Sequence, residues 1–66
     1  MNEKDSALVL AAENGQTETV KALLAAGAHV HADEDAALRR AENSGHADTV
    51  RVLKEWMARG EQESGL

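Results

Sequence analysis

Residues 28 to 35, AHVHADED, hold the most reactive-looking side chains of the sequence. His29 and His31 stand one residue apart, and in an extended segment alternate side chains share a face, so both imidazoles could address one metal ion. Asp33 or Asp35 could complete the nitrogen and oxygen shell that zinc or nickel accepts. Two histidines at this spacing are a weak metal signature, because ligand rings must also be held in place by outer partners. A solvated turn is the competing reading and the one adopted here, with no metal and no cofactor expected.

Other catalytic chemistry finds little support. Neither Ser6 nor Ser44 lies in a G-x-S-x-G elbow, and neither has a recognisable base in a nucleophile arrangement. The carboxylates of Asp33, Glu34 and Asp35 form a surface run, which reads as a solvated turn rather than an acid–base pair. Gly15, Gly27, Gly45 and Gly60 are isolated, so no phosphate-cradling loop exists. His46, after Gly45, reads as a structural residue at a helix entry. No catalytic residue is assigned and no enzyme is expected.

Composition narrows the class further. A chain of 66 residues makes one domain, residues 1–66, with a thin core. It has no cysteine for a disulfide or a thiolate metal site. Seven Lys and Arg against twelve Asp and Glu leave a net charge of -5 without a basic block, which argues against nucleic acid. Trp56 is the sole aromatic residue, so no base-stacking platform can form. The apolar run Ala7 to Ala12 is too short for a secretory or membrane segment, so no membrane partner and a cytoplasmic location are expected. Met1 and the polar ends lead us to expect an intact short chain.

These residues must be positioned by something, and the sequence supplies it twice. Shifted by thirty residues, Asp5 meets Asp35, Ala7 Ala37, Leu8 Leu38, Ala11 Ala41 and Gly15 Gly45. Thr19 then meets Thr49, Val20 Val50, Leu23 Leu53 and Ala28 Ala58. Identities on apolar, glycine and cap-type positions indicate a duplicated supersecondary unit. In the first unit, SALVLAAEN is apolar nearly all round, which predicts a short helix sandwiched on both sides and stopped at Gly15. TETVKALLAA places Val20, Leu23 and Leu24 at i, i+3 and i+4, with Thr17 as N-cap, Glu18 in the first turn and Gly27 as the stop. The second unit repeats this plan with EDAALRRAENSG and ADTVRVLKEWMARG, Asp35 serving as cap and Gly60 as the end. The fold class is all-α, and a single helical hairpin of this kind cannot bury its own apolar stripe.

SALVLAAENGQTETVKALLAAGAHVHA resembles the ankyrin repeat. Ser6, Ala7, Leu8 and Val9 fall on that family's T-P-L-H segment, and Ala11, Ala12 and Gly15 on its A-A-x-x-G. Val20, Leu23, Leu24, Gly27 and Ala28 match V-x-x-L-L-x-x-G-A, followed by the turn His29 to Ala32. The similarity runs from Ser6 to Gly60 and implies a helical-hairpin solenoid of two repeats and four helices. Repeat one covers about 5–34, repeat two about 35–60, and a polar, frayed tail 61–66. The period is 30 rather than the usual 33, with the missing residues between Ala32 and Ala37, so the projecting turn is shortened. Arg40, Glu42 and Lys54 replace Leu10, Ala12 and Leu24, as expected of a terminal repeat whose outer face meets water.

The resemblance implies a protein-binding module whose contacts come from the turns and inner helices: Glu13, Asn14, Asp33, Glu34, Arg39, Arg40, Asn43 and Ser44. Val50, Leu53 and Met57 are expected to form the core stripe of the last helix, leaving Val52 and Trp56 as i, i+4 neighbours on an adjoining face. Trp56 would either fold over its own core, near Leu66, or join Val52 in a homo-oligomeric interface. The alternatives are a metal-binding protein using the His29/His31 turn and a small acidic inhibitor of a host protein.

Overall fold

Four helices follow one another in the computed structural model, which describes residues 2–64 and side-chain surroundings up to residue 59. They are α1 (Glu3–Glu13), α2 (Thr17–Ala25), α3 (Ala32–Asn43) and α4 (Ala47–Ser64). α1 with α2 and α3 with α4 form two hairpins, and the hairpins stack with α1 on α3 and α2 on α4. The architecture is the all-α, two-hairpin solenoid expected from the sequence.

The thirty-residue repeat is visible in the backbone. The Gln16 N–H donates to the Ala11 carbonyl at 2.9 Å, and the His46 N–H to the Ala41 carbonyl at 3.0 Å. Both six-to-one bonds close around a glycine with positive φ, +70° at Gly15 and +76° at Gly45, a conformation that costs a residue bearing a Cβ. The first turn of each second helix carries the same ion pair, Lys21–Glu18 and Arg51–Asp48, each at 3.2 Å.

One core serves both hairpins. Leu8, Ala11, Ala12, Val20 and Leu24 from the first meet Ala37, Ala41, Val52 and Leu53 from the second. Alanines at the seam bring the helices close, and the large fully buried side chains are Leu8, Leu53, Val20 and Thr49. A fully buried leucine contributes about 1.5–3 kcal/mol, so few such residues leave the stack dependent on both halves being present.

Several local expectations are corrected. α1 starts at Glu3, before Ser6, because the Asn2 side chain caps it by accepting the Asp5 N–H at 2.9 Å. Gln16, not Thr17, is the N-cap of α2, and it makes no side-chain cap bond. α1 is covered on one side only: Leu8, Ala11 and Ala12 are buried while Ala7 and Leu10 face outward. In α4, Val52 and Leu53 are buried and Val50, Trp56 and Met57 half-buried, so Val52 belongs to the core rather than to a free adjoining face. α4 also runs through Gly60 to Ser64 instead of ending at Gly60 in a frayed tail. A contact between Trp56 and Leu66 lies outside the described residues.

The shortened turn has an unusual conformation. Asp33, Glu34 and Asp35 all adopt left-handed φ values, 54°, 55° and 63°. Non-glycine residues enter that region at roughly 1–2 kcal/mol each. With three residues fewer than the usual period allows, the chain reverses through this left-handed turn, and regular helix resumes after Asp35. The Asp35 carboxylate accepts from His31 Nδ1 rather than from a backbone N–H of the helix that follows, so the expected side-chain cap bond is not made.

Candidate protein-binding face

His29 and His31 do not converge on one point. Asp5, 6% exposed on α1, accepts the His29 backbone N–H at 2.8 Å and faces the His29 Nδ1 at 3.2 Å. The Asp5 carboxyl is held below its ordinary range, chiefly by that backbone N–H, against the opposing effect of burial. His31 pairs with Asp35. Each ring nearest its carboxylate is thus engaged separately, and among the described residues no group of three His, Cys, Asp or Glu side chains could hold a metal ion. His29 and Asp5 tie the end of α2 to the start of α1, which is a structural use of the pair.

A different cluster does come together. Asp33, Ala36, Arg39, Arg40 and Asn43 line a cleft of about 240 Å³ along α3. Arg39 and Asn43 are one helical turn apart, which places them on a common face. The Arg39 Nη2 donates to the Asp33 carbonyl at 3.2 Å, holding the left-handed turn against the helix. Arg40 reaches across to Glu13 of α1, with Nη1 and Oε2 3.6 Å apart. The result is a polar rim carrying two guanidinium groups and an amide.

The remaining expected contact residues divide around it. Asn14 and Ser44 occupy equivalent positions at the C-caps of α1 and α3, both exposed. The Asn14 amide donates to the Leu10 carbonyl at 3.1 Å. Glu34 projects from the left-handed turn. Val52 is 8% exposed and offers a partner almost nothing. Trp56 lies against the core with the Arg59 guanidinium 5.1 Å from its ring centroid, beside a separate hollow lined by Glu55, Ala58 and Arg59.

A family model described as ankyrin repeats (3 copies) matches residues 1–63. The chain belongs to the ankyrin-repeat family. No curated protein and no solved structure matches it. Ankyrin-repeat proteins are non-catalytic interaction scaffolds, and this one carries its four described helices as two hairpins. No described helix is long and apolar enough to cross a membrane.

Two features of this ankyrin unit escaped the sequence reading. Leu10 is 60% exposed, the one large hydrophobic side chain so exposed among the described residues. The His46 ring lies directly over Gly15, where an added Cβ would come within 2.5 Å of Nδ1. Both residues were read as local helix-end signals, and nothing in their spacing joined them.

Proposed function

We propose that the chain is a binding module that holds an acidic segment of another protein in the α3 cleft, and that it also self-associates. The observation that carries the first part is the gathering of Asp33, Arg39, Arg40 and Asn43 around one hollow. A carboxylate entering there meets guanidinium donors in the planar geometry that suits bidentate pairing, with the Asn43 amide beside them. Glu13 keeps Arg40 aimed across the seam, and Asp33 does the same for Arg39 through its backbone carbonyl. Asn14, Ser44 and Glu34 would form the outer contacts.

The test is affinity capture from the native host with three baits: the parent, Arg39→Glu/Arg40→Glu, and Leu10→Glu. The expected result is a protein retained by the parent and by the leucine variant but lost from the double arginine variant. The same protein retained equally by the charge-reversed bait would remove the cleft from the reading. Self-association at the α4 edge would rest on Trp56 and Arg59, since Val52 is enclosed.

A further inference from the structure

We propose that Asn14, followed by Gly15, is a site of spontaneous deamidation that the closed fold holds shut, and that the product, once formed, loosens the stack. The inference is independent of the α3 cleft and of self-association.

The fold itself creates the vulnerable pair. Position 15 demands glycine on two counts: its φ is +70°, and the His46 ring lies where a Cβ would stand. A glycine nitrogen is the least hindered of backbone nucleophiles, and the residue before it is an exposed asparagine. In the second hairpin the same turn reads Ser44–Gly45, which has no side-chain amide to lose. Asn43 is followed by Ser44 and Asn2 by Glu3, whose side chains crowd the attacking nitrogen.

The chemistry needs water alone. The Gly15 nitrogen gives up its proton to solvent and attacks the Asn14 Cγ. The Cγ–Nδ2 bond breaks, and the amide nitrogen takes a proton from solvent and leaves as ammonia. Water then opens the succinimide ring at one of its two carbonyls. Attack at the side-chain carbonyl leaves aspartate at position 14. Attack at the main-chain carbonyl leaves isoaspartate, whose backbone runs through the former side chain.

The folded turn blocks the first step. Asn14 closes α1 at φ -90° and ψ 1°, so the Gly15 nitrogen eclipses the Asn14 N–Cα bond instead of standing beside the Cα–Cβ bond that carries Cγ. The Gly15 N–H donates to the Ala12 carbonyl at 3.2 Å, and the Asn14 side-chain amide to the Leu10 carbonyl at 3.1 Å. Rotating Asn14 into the reactive geometry breaks these bonds and lifts Gly15 from beneath His46. Reaction therefore proceeds from the opened turn, and its rate follows how often that turn opens.

Both products weaken the turn. A carboxylate at position 14 has no proton to donate to Leu10, and it sets a negative charge at the negative end of the α1 dipole, next to Glu13. Isoaspartate also lengthens the main chain inside the loop that the Gln16 N–H closes on the Ala11 carbonyl, so Gly15 is displaced from the His46 ring. That contact joins the two hairpins.

The full chain incubated at neutral pH, in native buffer and in urea above its unfolding midpoint, tests this by mass spectrometry of the peptide holding position 14. The expected result is conversion at least about tenfold faster in urea than in native buffer, with position 14 ahead of Asn43. His46→Ala should convert faster than the parent in native buffer and at the same rate in urea. Equal parent rates in both solvents, or a native rate unchanged in His46→Ala, would overturn the gate. No conversion in urea, or faster conversion at Asn43, would overturn the site. The isoaspartyl chain, separated and returned to native buffer, should melt below both the parent and Asn14→Asp; a melting temperature equal to the parent's would overturn the effect on the stack.

Discussion

The hydroxyls of Thr17 and Thr49 lie 2.8 Å apart, joining the start of α2 to a fully buried position on α4. The bond crosses between hairpins, and it satisfies a polar group that water cannot reach. Thr49→Val is expected to lower unfolding free energy by about 1 kcal/mol, the usual net value of such a bond. Thr19→Val, at the equivalent but exposed position of the first hairpin, should change stability little. Urea denaturation of both variants checks the contrast; equal losses would deny the seam its polar link.

Gly15 and Gly45 have nearly the same backbone conformation but different neighbours. An alanine Cβ at Gly45 meets nothing within 4 Å, whereas at Gly15 it strikes the His46 ring. Gly45→Ala should cost about 1–2 kcal/mol from the left-handed conformation alone, and Gly15→Ala more. Adding His46→Ala should recover the excess in Gly15→Ala and leave Gly45→Ala no better, a coupling measurable by a double-mutant cycle.

Glu34 sits in the middle of the left-handed turn at φ 55°. Glu34→Gly should stabilise the protein by up to ~1 kcal/mol, because relief of the left-handed conformation exceeds the entropy that glycine adds to the unfolded chain. In a right-handed first turn the same change would destabilise by a similar amount. Thermal unfolding decides the sign.

The repeat made the fold legible before any coordinates. Leu8, Val20 and Leu53 fall on apolar periodicity, and each glycine stop of the first three helices stands where a helix ends. Helix starts were harder to read: Asn2 caps α1 through its side chain four residues before Ser6, and Gln16 precedes α2 without a cap bond although Thr17 is the better cap by residue type. The left-handed turn was foreshadowed only as a missing length. Half of the expected contact set, Glu13, Asp33, Arg39, Arg40 and Asn43, does gather at one cleft and its Glu13 strut. Val52 was misplaced because periodicity within α4 cannot tell a face turned to solvent from one turned to the neighbouring hairpin. That distinction needs both hairpins in place.

Asp5 links stability to acid. Its carboxyl is held below the ordinary range in the folded chain, so the unfolded chain binds the proton more readily. The stabilisation is complete above the unfolded value, near pH 4, and disappears as pH falls through the folded value. Melting temperatures of the parent and Asp5→Ala should converge on acidification. His29→Ala should retain most of the effect, because its backbone N–H supplies the main bond.

Leu24, 4% exposed on α2, offers the most direct test that both hairpins share one interior. Hydrogen exchange measured on Leu24→Asp should show protection lost from α1, α2, α3 and α4 together, since a buried carboxylate in the first hairpin removes the floor of the second. Protection kept in α3 and α4 while α1 and α2 exchange freely would contradict a common core.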